Sequence, residues 1–365
     1  MSEKVIVKLY IYHGSRRVGL VEIVNSLQWM PAWDDVGEFK LVCAASDKNR
    51  ARLLKWNTLY NPDTPDIAAI ITAVNIETAK SSMTVRGKFS LYRFTQRVAK
   101  GSRTITDAAA GLLELCRTNL RGLPVTVPES AGFTAPCQET VEWIDCCKAI
   151  VQLAKAGGFG VRVRFDKTTA AETLELRHGI DRSVEGTEHY RGYFGTRMQN
   201  LSGVSQEDDG SSYANVVLCG GEKPTEQDTW KQLFLEVGDT TATGADRHEL
   251  WVDGSSVTHR HTIQKPDGST EEATYTEAEY NTALTNYATA ALLEHLGGIT
   301  LKATAKDLQL RYGEDYDLGD LVPLRVPELN MKASARVSSV KLIYEHTGRT
   351  VEPVFDNITF GGDTI

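Results

Sequence analysis

Apolar and polar residues alternate with a period of two over both ends of the chain. Residues 5–12 (Val-Ile-Val-Lys-Leu-Tyr-Ile-Tyr) and 18–24 are β-branched and aromatic, as strands are. Phe39, Leu41 and Cys43 are interleaved with Lys40 and Val42, which predicts a half-buried strand. Trp29 and Trp33 are placed in the loop before it, on either side of Pro31. Residues 51–55 predict a short helical turn, and residues 67–76 and 82–94 two more strands. Many short strands separated by turns indicate a barrel or a sandwich.

The period changes near residue 100. Leu112, Leu115, Cys116 and Leu120 fall on one face of a predicted helix over 106–120, with Thr106 as N-cap and Asp107 in its first turn. A second helix is expected from Val141 to Ala156, capped by Thr140 and stopped by Gly157-Gly158, with Ile144, Cys147, Ile150, Val151 and Ala154 on one face. Strands over 160–165 and 173–177 follow. Further strands are expected over 198–204, 215–221, 248–254 and 257–264, and a turn at 266–269. Thr276-Glu-Ala-Glu279 is a capping box ahead of a long helix ending near Leu296 and Gly297-Gly298. Residues 301–310 lead out of it.

Tyr312 to Arg325 reads as a turn feeding a strand. Gly313 and Gly319 supply backbone freedom, and Asp317 and Asp320 suit turn and capping roles. Leu321, Val322, Leu324 and Val326 make the strand, and Pro323, lacking a ladder donor, suits an edge. Strands over 335–344 and 350–355 close the set around Gly348.

Composition narrows the class. With 365 residues, 41% hydrophobic and 24% charged, the chain has room for two or more domains with their own cores. No apolar run is long enough for a membrane span, and the N-terminus lacks the features of a signal peptide. The six cysteines have no CxxC spacing, and Cys146-Cys147 are adjacent; reduced, mostly buried thiols are expected. Residues 1–100 hold 15 Lys and Arg against 9 Asp and Glu, a net of +6, which leaves −14 for the remainder. The positive charges are dispersed, so docking surfaces for other proteins are favoured over nucleic-acid binding.

Candidate chemistry is sparse. His259-Arg-His261 puts two imidazoles on one strand face, but no local carboxylate or thiol completes a metal site. Asp315, Asp317 and Asp320 lack the spacing and terminal Glu of an EF-hand loop. Gly157-Gly-Phe-Gly160 is too short for a phosphate loop and fits a helix stop. No nucleophile, dinucleotide or zinc-protease motif is present. No catalytic residue, cofactor site or metal site is therefore assigned. Trp29 and Trp33 are candidate interface residues, with core packing as the equal alternative.

The order of these weak motifs carries a resemblance. A strand pair is followed by Ser26-Leu-Gln-Trp29 and then Gly37-Glu-Phe-Lys-Leu-Val42. Ile70-Ile-Thr-Ala-Val74, Met83-Thr-Val-Arg-Gly-Lys-Phe89 and Arg97-Val98 come next, and Asp315-Tyr-Asp-Leu-Gly-Asp-Leu-Val322 and Tyr344-Glu-His-Thr-Gly-Arg349 lie near the end. The chain resembles siphovirus Gp37-like tail proteins and, more distantly, phage baseplate hubs.

The resemblance implies a β-rich α+β fold with two tube-like β-barrels. The first would use residues 1–100 with 200–235, where Asn215-Val-Val-Leu218 returns the chain to it, and the second residues 306–365. Two α+β inserts would span 101–199 and 236–305. It implies a homotrimeric structural hub that adapts a six-fold tail tube to a three-fold tip. Its partners would be a distal tail or tail-tube protein, a tape-measure protein, and tail-fibre, spike or receptor-binding proteins, with DNA passing through the channel without specific binding. Residence in the virion after synthesis in the host cytoplasm follows from the same likeness. Because the chain ends at Ile365, cell-wall digestion is expected to belong to another protein. A tail-associated peptidoglycan hydrolase or endopeptidase would instead clear cell walls in a zymogram, and a host carbohydrate-binding module would show an exposed aromatic platform.

Overall fold

A computed structural model describes residues 7–360 apart from residues 78, 80, 184–188, 209, 265–269, 296–298 and 307. The expected turn at 266–269 and the expected end of the long helix at 296–298 lie outside the described residues. The chain forms two compact units: Met1–Val204 with Ala303–Ile365, and Ser205–Lys302.

In the first unit the opening strands are β1 (Tyr10–His13), β2 (Arg16–Leu20), β3 (Val24–Met30) and β4 (Glu38–Ala44). Helix α1 (Asp47–Arg52), β5 (Thr58–Tyr60), β6 (Ala68–Glu77) and β7 (Ser82–Phe89) follow, and a 3₁₀ helix over Ser90–Gln96 replaces the end of the strand expected to reach 94. In β3, Val24, Leu27 and Trp29 point inward. Trp29 therefore belongs to a strand, not to the loop the sequence suggested, and its ring lies 4.8 Å edge-on from Phe89 and 5.6 Å from Phe39. Its indole N–H donates to Thr64 Oγ1 at 3.0 Å, so the one polar atom of a fully buried Trp is satisfied.

The insert begins with β8 (Ser102–Asp107), α2 (Ala108–Asn119), β9 (Val125–Thr126) and β10 (Pro136–Glu142). It continues through α3 (Cys146–Gly157), β11 (Gly160–Phe165), β12 (Glu172–Arg177) and β13 (Phe194–Gly195). Both helices start later than expected. The segments before them pair as antiparallel β8 and β10, so the caps are Asp107, which accepts from Ala109 and Ala110 N–H, and Asp145, which accepts from Lys148 N–H. Gly158, at φ +67°, ends α3 as the double glycine predicted. Leu112, Leu113, Ile150, Leu153 and Phe159 form the core between the helices and β11 and β12.

The chain leaves this unit along β14 (Leu201–Asp208). The second unit holds β15 (Val216–Gly220), β16 (Phe234–Gly238), β17 (Glu249–Asp253), β18 (Arg260–Gln264), β19 (Thr270–Thr274) and α4 (Glu277–His295). The segment expected to rejoin the first barrel is instead β15, the centre of a three-stranded sheet β16-β15-β17. Its inward residues Val217 and Cys219 need an apolar cover, and α4 provides it with Tyr280, Leu284 and Ala288. Thr276 and Glu279 form the expected capping box: Thr276 N–H and hydroxyl donate to Glu279 Oε2, and Glu279 N–H donates to Thr276 Oγ1.

The return runs along β20 (Ile299–Ala305) into β21 (Leu321–Val326), β22 (Met331–Glu345) and β23 (Gly348–Phe360). The strands assigned from sequence to two barrels join here in one eleven-stranded sheet, of order β13-β21-β22-β3-β4-β7-β6-β5-β1-β2 with β23 on β22; among the described residues the path does not close. The reason is the length of β22. Six of its residues pair with β21, leaving Leu342–Tyr344 to pair with Trp29–Leu27 of β3, while β23 runs along it. Pro323 lies between the outward pairings of Leu321 and of Leu324–Arg325, where its missing N–H costs no ladder bond.

Candidate functional site

Two glycines from separate sequence motifs, Gly160 and Gly319, meet at Trp33. Its backbone N–H donates to Ser338 O of β22 at 2.8 Å, and its carbonyl accepts from Val161 N–H of β11 at 2.9 Å. The residue thus ties the first strands to the insert and to the last hairpin. Gly160 and Gly319 both lie against its six-membered ring with no room for a methyl group. Two guanidinium groups sit over the ring, Arg177 at 5.0 Å and Arg336 at 6.0 Å from its centre. Trp33 is buried, as is Trp29, so the structure places both in the core and not on an exposed surface of this chain.

The turn ahead of β21 is built as its residue types demand. Gly313 and Gly319 have φ of +85° and +91°, values that a residue with a Cβ rarely adopts. Gly313 N–H donates to Tyr316 O at 2.8 Å, Arg311 N–H to Asp315 Oδ2 at 2.9 Å, and Leu318 N–H to Asp317 Oδ1 at 2.7 Å. Asp320 is 2% exposed. It accepts from Ile180 N–H, from Asp317 N–H and from Arg182 Nε at 2.5 Å. Arg336 donates to Gly319 O at 2.7 Å. The three aspartates therefore spend their oxygens on backbone amides and an arginine, which is a turn function; no metal-holding cluster occurs among the described residues.

A cavity of about 50 Å³ opens beside this junction, lined by Pro31, Ala32, Val161, Arg177, Tyr312 and Asp317 among others. Burial, then the neighbouring Arg162, pushes the Arg177 pKa down, and its Nε has no hydrogen-bond partner among the described residues. Burial and the Asp317 carboxylate push the Tyr312 phenol up. The cavity has no nucleophile paired with a base, and its charged groups belong to the scaffold around Trp33.

His259 stacks between Trp230 and Tyr280 in the second unit, with ring centres 3.8 and 3.4 Å away, and its N–H donates to Glu222 Oε2. The partner side chain in the sequence, that of His261, lies outside the described residues. What the sequence reading missed is the arginine set: Arg177 and Arg182 come from segments far from Trp33 and Asp320 in the chain, Arg336 comes from the strand paired with β21, and no local pattern marks them.

Comparison with known proteins adds a lineage to this geometry. Residues 125–356 match the family described as Siphovirus ReqiPepy6 Gp37-like protein. A search of curated proteins finds no significant match. Among solved structures the chain is similar to a 43 kDa tail protein of prophage MuSo2 from Shewanella oneidensis, at 11% identity, TM-score 0.59, covering 96% of this chain and 98% of that one. It is also similar to a tail protein from Neisseria meningitidis MC58, at 12% identity and TM-score 0.57 with 96% of both chains covered. A third is prophage tail protein gp18 of Listeria monocytogenes EGD-e, at 10% identity and TM-score 0.53, with 96% and 94% covered.

Proposed function

The chain belongs to the Siphovirus ReqiPepy6 Gp37-like family, and from that premise we propose that it is a structural hub protein at the distal end of a phage tail or related injection machine. The observation that carries this reading is the sheet shared by both chain ends. The pairing of β22 with β3 joins two strand groups, β1 to β7 and β21 to β23, into one frame. Each group is one tube-forming module. Three copies then present six modules, which matches a six-fold tail tube to a three-fold tip.

The role is mechanical and not catalytic. Asp317, Asp320, Trp33 and the arginines around them are occupied in holding segments together, which suits a part that must keep its shape under load. Assembly into a ring buries the free edges of β2 and β23, the ordinary way to remove unpaired strand edges. The partners are a distal tail or tail-tube protein, a tape-measure protein and fibre, spike or receptor-binding proteins. DNA passes along the channel without specific binding.

Light scattering after size exclusion, over a range of concentrations and with tail-tube protein added, tests this. A species at three times the 40.2 kDa chain mass is expected. A chain that stays monomeric alone and with the tube protein defeats the trimeric hub.

A further inference from the structure

The second unit has a sheet with one covered and one open face. Helix α4 covers the side of Val217 and Cys219. On the other side the register sets Leu218 between Glu236 and Trp251, and Gly220 between Phe234 and Asp253. Phe234 and Trp251 are 63% and 59% exposed. A large aromatic side chain left this open forgoes much of its burial energy, and here there are two, with ring centres 6.4 Å apart and planes 36° apart.

Gly220 shapes the pair. A Cβ there would come 2.6 Å from Trp251 Cη2 and 3.2 Å from Phe234 Cε1, so only glycine lets both rings lie down on the central strand. Beside the rings is a fixed polar rim. Arg247, just ahead of β17, donates to Glu249 Oε1 at 2.6 Å and also to Glu236 of β16, so one guanidinium holds both carboxylates in place. The two glutamates raise the Arg247 pKa.

We propose that this face binds a saccharide chain of neutral pyranose units. A pyranose has apolar C–H faces and hydroxyl edges. Its C–H face matches an open aromatic ring, whose π-cloud is negative and attracts the weakly positive hydrogens. Its hydroxyls match carboxylate acceptors and a guanidinium donor already oriented at the rim. Two rings 6.4 Å apart support consecutive sugars of one chain. The rim sets three carboxylates, Glu236, Glu249 and Asp253, against Arg247 and the Lys223 ammonium near Asp253, so polyanionic chains are repelled and neutral ones accepted.

Affinity electrophoresis of the full chain through gels containing a soluble β-glucan, an α-mannan, a galactan or a soluble N-acetylglucosamine polymer tests the proposal. At least one of these is expected to retard the protein. Trp251→Ala and Phe234→Ala should each weaken that retardation tenfold or more with unchanged thermal melting, since both side chains are exposed, and Glu249→Gln should weaken it severalfold. No retardation by any of the four polymers overturns the proposal, as does retardation that survives both aromatic substitutions. A self-association of the chain that Trp251→Ala abolishes, without any retardation, would assign the face to a second copy and overturn it equally.

Discussion

Gly319 lies flat against the six-membered ring of Trp33, and a methyl group at Gly319 would overlap ring carbons Cε3 and Cζ3. The contact joins the loop between β3 and β4 to the turn that launches the last hairpin. Gly319 also sits at φ +91°, so space and backbone conformation demand glycine together. Gly319→Ala should destabilise the first unit by about 2–4 kcal/mol, read as a lowered urea midpoint, because overpacking and a strained φ add. A midpoint within error of the parent would show that the ring yields easily.

Trp33→Ala removes the ring on which Gly160, Gly319, Arg177 and Arg336 converge. A loss of about 3–5 kcal/mol is expected, as for other large buried aromatics. Trp33→Phe should recover part of it. Hydrogen exchange should then quicken at the amide of Val161, which donates to the carbonyl of residue 33, and at the amide of residue 33, which donates to Ser338 O.

In the Arg182–Asp320 pair the carboxylate is buried and also accepts from the amides of Ile180 and Asp317. Asp320→Ala leaves an uncompensated guanidinium and two unmet amides, so about 3–5 kcal/mol should be lost, against a smaller loss for Asp320→Asn, which keeps one acceptor. Chemical denaturation of the three proteins side by side measures the difference. Equal stability of all three would mean that water replaces the carboxylate.

Burial pushes the thiols of Cys43 and Cys147 up to about 12 and that of Cys146 to about 11. In the unfolded chain they ionise near their ordinary value of about 8.5. Their folded values are raised, so the stability linked to them is whole below about pH 8.5 and is lost as pH rises towards the folded values. The melting temperature should fall between pH 9 and 11, and Cys43→Val should flatten that fall. A thiol reagent at pH 8 should reach the half-buried Cys137 first and the five buried cysteines only after unfolding.

In the second unit, Thr276→Ala removes one side of the capping box at α4. About 1 kcal/mol of that unit's stability should go, with faster amide exchange in the first turn of the helix. Exchange that is unchanged at Glu279 would show that Glu279 alone holds the turn.

How much could be read from the chain depended on range. Strand β21 was legible because its apolar run and turn glycines are contiguous, and so was the capping box, whose two members are three residues apart. The helix starts were misjudged because Thr106 and Thr140 are plausible caps in isolation, whereas pairing of β8 with β10 draws both segments into a ribbon and leaves Asp107 and Asp145 to cap. Trp29 carried a usable signal, its alternation with Leu27, which the neighbouring Pro31 obscured. The Arg177, Gly160 and Gly319 contacts with Trp33 had no local signature, since each partner lies more than a hundred positions away. Two closed barrels were expected because short strands and turns cannot reveal that one strand, β22, is long enough to serve two groups.

The pairing of Leu342 with Trp29 also sets a timetable for synthesis. While the ribosome works through the roughly three hundred residues between them, β3 waits with one edge unpaired, and the frame cannot be completed until β22 has emerged. A ribosome that stalls before β22 would release a product with an open, sticky edge. Quality-control proteases and holding chaperones should therefore act on truncated chains far more than on finished ones.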